Sequence, residues 1–135
     1  LDGLIDAITA IYQEIEQITE EARGNGLYLR ITEYLYLHYS EPVTLKTLAA
    51  DFNMNYSYLS SYFSSHMGQG INEFLNSIRV EKAKELLSSS ELSLSEIAQE
   101  IGYTDQSYFG KVFKKQTGYS PHTYRNRAKR RGETL

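Results

Sequence analysis

Cysteine and tryptophan are absent from this 135-residue chain, and proline occurs only twice. Without cysteine there is no disulfide scaffold, thiolate zinc site, iron–sulfur cluster or cysteine nucleophile, and the composition fits a reducing compartment. No apolar run is longer than residues 34–37, whereas a membrane-spanning helix needs about 20 apolar residues. The three histidines, His38, His66 and His122, share no metal-ligand spacing, and no glycine-rich loop is placed to cradle a phosphate. The carboxylates sit where solvated helix faces are expected, so catalysis, a metal and a cofactor are all unexpected. No leader-like segment is visible, which makes a cytoplasmic location the expectation. The chain opens on Leu1 inside a helical pattern, as a piece of a longer protein would. Its length suits one domain, able to bury roughly 65–70% of its unfolded surface without a covalent staple.

A general excess of basic charge is missing as well. Fourteen Lys and Arg face seventeen Asp and Glu, a formal −3, so attraction for nucleic acid has to be local. The distribution is uneven: residues 1–42 sum to −6, residues 43–93 to −1 and residues 94–135 to +4. The stretch from Arg125 to Arg131 holds five cations in seven residues. Such a run suits phosphate contact and suits a solvated tail equally well.

Helical periodicity dominates what is present. Leu1, Leu4, Ile8, Ile11, Ile15, Ile18 and Ala22 alternate steps of three and four, the a/d seam of a coiled coil. The seam predicts a weak homodimer through residues 1–23. Ile5 and Tyr12 widen the stripe enough to leave intramolecular packing as the alternative. Gly24-Asn-Gly26 is expected to stop this helix. A second, tyrosine-rich helix is expected over residues 27–39, ended by Ser40-Glu-Pro42. A long amphipathic helix is expected over residues 71–88 from Ile71, Phe74, Leu75, Ile78, Ala83, Leu86 and Leu87, with Glu73, Arg79, Lys82 and Glu85 among them.

The segments flanking that long helix repeat each other. A shift of 49 lays Thr44, Leu48, Ala49 and Asn53 on Ser93, Ile97, Ala98 and Gly102. A shift of 50 then lays Asn55, Tyr58, Phe63 and Gly68 on Asp105, Tyr108, Phe113 and Gly118. Each copy starts with an N-cap hydroxyl, Ser93 and Glu96 match a capping box, and Asn53 and Gly102 tolerate the left-handed backbone of a sharp turn. Ser120-Pro121 opens a last helix running to about residue 130. Short helix, tight turn and second helix is the arrangement that lays the second helix in a DNA major groove, although helical hairpins also serve as plain packing units.

The second helices carry the candidate contacts. In the later copy Phe109, Val112 and Phe113 take the inward face, leaving Gln106, Ser107, Gly110, Lys111 and Lys114 outward. Glutamine bridges adenine, lysine donates to guanine or phosphate, and Ser107 and Tyr108 suit backbone or base. Asp105 occupies the place of Asn55 and reads better as a cap than as a cytosine contact.

The run Ile97-Ala-Gln-Glu-Ile-Gly-Tyr-Thr-Asp-Gln-Ser-Tyr-Phe-Gly-Lys-Val-Phe-Lys-Lys-Gln-Thr-Gly-Tyr-Ser-Pro-His-Thr-Tyr-Arg125 closely resembles the signature of the AraC/XylS family of bacterial transcription regulators. Tyr58-Leu-Ser-Ser-Tyr-Phe63, Gly68 and Asn76-Ser-Ile-Arg-Val-Glu-Lys-Ala-Lys-Glu-Leu-Leu87 extend the resemblance to residues 31–127. It implies seven helices, two of them reading successive major-groove segments, and transcriptional activation or repression, with room for RNA polymerase as a further partner. One departure stands out. The family usually carries basic residues on its first reading helix, where this chain has Ser61, Ser64 and Ser65, so that helix is expected to offer hydroxyls, Tyr56 and Tyr62 but no cation.

The expected fold is therefore all-α: two helix-turn-helix units joined by a long linker helix, plus an N-terminal amphipathic helix. The expected parts are a linker or coiled-coil helix at 1–26, a DNA-binding domain at 27–131 and a tail at 132–135. The expected partner is double-stranded promoter DNA, contacted by Tyr56, Ser57, Ser60, Ser61, Ser64, Gln106, Ser107, Tyr108, Lys111, Lys114, Lys115 and Arg125. Leu4, Ile8, Ile11, Ile15 and Ile18 are the expected dimer contacts, with no membrane contact. The competing expectation is a helical interaction module that binds no DNA.

Overall fold

The computed structural model describes the backbone of residues 2–21 and 23–133, and the side chains of residues 3–14 and 26–132. All regular structure in these residues is helical: α1 (Asp2–Glu21), α2 (Arg23–His38), α3 (Leu45–Asp51), α4 (Tyr56–Met67), α5 (Ile71–Ser89), α6 (Leu94–Glu100), α7 (Gln106–Thr117) and α8 (Pro121–Glu133). The chain divides into two compact units, Leu1–Tyr34 and Leu35–Leu135, and the division falls within α2. Among the described residues no helix is long and apolar enough to cross a membrane.

In the first unit, α1 keeps the expected stripe exposed: Leu4, Ile5, Ile8, Ile11 and Tyr12 are all more than two-fifths accessible. Leu1 and the side chains of Ile15, Ile18 and Ala22 lie outside the described residues. Gly24-Asn-Gly26 does not end α1. These residues open α2 instead, where the first-turn N–H groups need no helical partner, so glycine costs only its propensity of about 1 kcal/mol.

The second unit is built around α5. Its buried apolar residues form two stripes: Ile71, Phe74, Leu75 and Ile78 on one side, then Val80, Ala83 and Leu87 on the other. At 100° per residue the second stripe is turned by roughly 160° from the first, so a single helix serves two cores. The long amphipathic helix expected over residues 71–88 is present, with its buried apolar residues divided between two faces. Phe63 of α4 meets Phe74 edge-on at 5.6 Å. Val80, Ala83 and Leu87 join Ile97, Ala98, Ile101, Tyr103, Phe109 and Phe113 in the second core. Phe113 meets Tyr124 of α8 edge-on at 5.4 Å, which repeats the Phe63–Phe74 pair fifty residues on.

Local chemistry sets the helix ends. Thr44 and Thr47 form a reciprocal capping box, and at Ser93 only the hydroxyl half is made, to the Glu96 N–H at 3.1 Å. The Ser120 hydroxyl accepts from the Thr123 N–H at 3.2 Å, with Pro121 at the first helical position. The α8 helix continues to Glu133, past the expected end near residue 130. The turns between short and second helices pass through positive φ at Asn53 (53°) and Gly102 (105°). Gly102 is required for a second reason: a Cβ there would stand 2.7 Å from the Tyr39 carbonyl oxygen.

Candidate nucleic-acid interface

The two second helices are presented alike. The Asn55 side chain accepts from the Ser57 and Tyr58 N–H groups at 2.9 and 3.2 Å, and Asp105 accepts from the Ser107 N–H at 2.9 Å. Asp105 is therefore a cap, as expected. Both helices run for twelve residues and end in a left-handed glycine, Gly68 or Gly118. The caps fix where the first turn begins, and so which residues stand at the exposed tip.

On α7, Phe109 and Phe113 anchor the inner face while Gln106, Ser107, Tyr108, Lys111, Lys114 and Lys115 are exposed and Gly110 is half-buried. On α4, Leu59 and Phe63 are the anchors, and Tyr56, Ser57, Ser61, Ser64 and Ser65 are exposed. Four matching exposed positions thus read Ser57, Ser61, Ser64 and Ser65 on one helix and Ser107, Lys111, Lys114 and Lys115 on the other. Ser60 is half-buried. Tyr62 corrects an expectation: it is 7% accessible, with its ring 6.0 Å from that of Tyr58 and 4.2 Å from that of His66.

The basic C-terminal run is largely engaged within the fold. Arg125 donates through Nε to the Leu87 carbonyl at 3.1 Å and through Nη2 to the Ser90 carbonyl at 3.3 Å. It closes the C-terminal end of α5, which withdraws it from the expected DNA contacts. Arg127 lies 4.6 Å over the Tyr119 ring. Lys129 reaches both carboxylate oxygens of Glu91 at 3.0 Å, and this ion pair holds the Glu91 carboxyl below its ordinary range.

Sequence reasoning missed Arg79, which is 8% accessible. Its Nε donates to the Tyr39 carbonyl at 2.8 Å and its Nη2 to the Glu41 carbonyl at 3.1 Å. Its guanidinium lies 5.0 Å from the centre of the Tyr103 ring. Burial pushes the Tyr103 hydroxyl up to about 12, with Arg79 pulling the other way. That hydroxyl donates to Asn76 Oδ1 at 2.6 Å, and Asn76 Nδ2 donates to the Tyr108 hydroxyl at 3.5 Å. Tyr108 is thereby tied to α5 while its ring stays half exposed. Between α5 and α7 opens a cleft of about 770 Å³ that Asn72, Glu73 and Asn76 line from one side and Tyr108, Lys111 and Lys115 from the other.

A family model described as a helix-turn-helix domain matches residues 48–127, which span α3 to α8. The chain belongs to this helix-turn-helix family. Relatives of this helix-turn-helix domain are transcriptional regulators. The HTH-type transcriptional regulator YijO of Escherichia coli is 36% identical over 109 residues, covering 81% of this chain and 38% of YijO. This chain therefore spans less than two-fifths of that relative's length. The solved C-terminal domain of AraT, a response regulator from Geobacillus stearothermophilus, is 40% identical with a TM-score of 0.71, over 73% of this chain and 83% of that one. The DNA-binding domain of AdpA, a global transcriptional factor solved in complex with a target DNA, is 28% identical with a TM-score of 0.73, over 77% and 94%. The chain is a DNA-binding regulator domain of helix-turn-helix type, and its role is not catalytic.

Proposed function

We propose that this domain is the AraC-type output module of a longer regulator, and that one chain reads two successive major-groove segments of promoter DNA with α4 and α7. The observation that carries the reading is the duplication around α5: two capped twelve-residue helices with matching outward positions, each anchored on the same linker helix. The outward side chains assigned to DNA are Tyr56, Ser57, Ser61 and Ser64 on α4, and Gln106, Ser107, Tyr108, Lys111, Lys114 and Lys115 on α7. Ser60 serves α4 from a half-buried place. Gln106, at the tip of α7, is the base reader, and the lysines grip phosphate.

The response-regulator origin of the AraT domain supports an upstream signal-receiving part in the full protein. The full protein acts in the cytoplasm by activation or repression, with RNA polymerase as a further partner. Leu4, Ile8 and Ile11 are exposed on α1, and the heptad spacing they share in the sequence with Ile15 and Ile18 supports a seam that pairs two such chains weakly. The protein then carries an interaction surface as well as a DNA-reading one. A mobility-shift titration against promoter fragments tests the function. Sequence-selective retardation that falls steeply with salt is the expected result, and equal or no retardation of all fragments contradicts it.

A further inference from the structure

A helix lying in the major groove has a sugar–phosphate strand along each flank. On α7, Tyr108 and Lys115 turn toward α5, and Asn72, Glu73 and Asn76 of α5 face them across the cleft. The α5 residues of the cleft lie at its N-terminal end, the end that α4 joins and packs on through Phe63 and Phe74, so the strand seated between α5 and α7 on this flank is the one that separates the two major-groove segments. We propose that the α5–α7 cleft seats this intervening strand, that Asn72 and Tyr108 join Lys111 and Lys115 in holding its phosphates, and that Glu73 restrains the affinity. This inference rests on the two-segment reading proposed above.

The chemistry of the cleft suits a phosphodiester. Two ammonium groups line one wall, and the exposed Asn72 amide stands on the other. Asn76 has its carbonyl oxygen occupied by Tyr103 and its amide directed at the Tyr108 oxygen. The Tyr108 hydroxyl therefore accepts from Asn76 and keeps its own proton to donate outward. The exposed Glu73 carboxylate is the exception. In the first turn of α5 it complements the helix dipole, but it stands on the same wall as Asn72 with the sign of the phosphate. Its cost to binding is electrostatic and is weakened by salt.

The test compares wild-type protein, Glu73→Lys and Glu73→Gln by fluorescence anisotropy on a duplex bearing both elements, across a salt series. Circular dichroism establishes that each variant is folded. Glu73→Lys is expected to bind several-fold tighter and to steepen the log-affinity against log-salt slope by about 0.9, with a smaller gain for Glu73→Gln. A single methylphosphonate between the two elements should cancel the gain, whereas one beyond either element should leave it. No gain in either variant, or a gain that survives neutralisation of every intervening phosphate, overturns the cleft proposal. If wild-type protein fails to protect two elements, the underlying two-segment reading falls and takes the cleft with it. If it protects both while the Glu73 variants are neutral, only the cleft proposal falls.

Discussion

Arg125 of α8 and Leu87 of α5 are joined by an Nε to carbonyl hydrogen bond of 3.1 Å. The earlier unit is closed in the same manner, by Arg79 on the Tyr39 carbonyl at 2.8 Å. In each case the outgoing helix sends a guanidinium back to carbonyls at or just past the C-terminal end of the incoming helix, where carbonyl groups lack partners and a cation is favoured. At the fifty-residue register of the repeat Arg79 falls on Lys129, which pairs with Glu91, so the two guanidinium closures are alike in kind but not in position, and α5 serves as the outgoing helix of one unit and the incoming helix of the next.

Arg125→Ala is expected to destabilise the domain by about 1–3 kcal/mol, the range for hydrogen bonds to a charged donor plus the carbonyls left behind. Urea denaturation measures it. The salt slope of DNA binding should stay at its wild-type value, because Arg125 is committed to α5. A slope reduced by about 0.9 with stability unchanged would return Arg125 to the phosphate-binding set.

Alkaline stability should depend on Tyr103. Its folded value, about 12, lies above the ordinary 10, so the neutral form is favoured by folding. The stabilisation is complete below pH 10 and is lost as pH rises through 10 toward 12, by an amount on the order of 2–3 kcal/mol. Tyr103→Phe cannot titrate. Denaturation midpoints of the two proteins between pH 8 and 12 should show the wild type falling more steeply than the variant, and parallel curves would contradict this.

The helix-turn-helix pairs are legible in the sequence because their determinants are local. Thr44, Asn55, Ser93 and Asp105 cap their own first turns, and Asn53 and Gly102 supply the left-handed turns within a few residues. What is not legible depends on distant partners. Arg79 and Arg125 look like surface cations in a helical pattern, yet they bond to carbonyls 40 and 38 residues away. Tyr62 reads as an outward hydroxyl because periodicity places it near the edge of the inner face, where its two ring neighbours decide its burial. The turned second stripe of α5 merges with the first in a linear reading, since a wheel shows apolar positions without saying how many cores they face. The cleft residues Asn72 and Glu73 carry no signal of their own until α7 is placed opposite them.

The two reading helices should contribute unequally to electrostatic affinity. Lys114→Ala or Lys115→Ala is expected to reduce the slope of log affinity against log salt by about 0.9 for each phosphate left without its ammonium, and to weaken all sequences alike. Gln106→Ala should instead relax preference at one base pair, at about 1–3 kcal/mol for a bidentate adenine bridge. Ser61→Arg with Ser64→Lys should tighten binding and steepen the slope. A double variant that binds no better at any salt would mean that α4 does not face DNA.

The exposed stripe of α1 predicts concentration-dependent association. Sedimentation equilibrium should show a weak dimer of the wild-type chain, and Ile8→Asp with Ile11→Asp should render it monomeric. An identical mass distribution for both proteins would mean that the stripe does not pair two chains.

One chain is expected to grip two major-groove segments through a linker of fixed length, and hydroxyl-radical protection on a duplex with altered spacing measures this. On the natural site, two protected elements about 10–10.5 bp apart are expected from a single bound chain. Inserting five base pairs turns the second element to the other side of the duplex, and α5 cannot stretch to follow it. The expected result is that one element, the one held by α7, stays protected while the other is lost. Equal protection of both elements after the insertion, or a single protected element on the natural site, would contradict it.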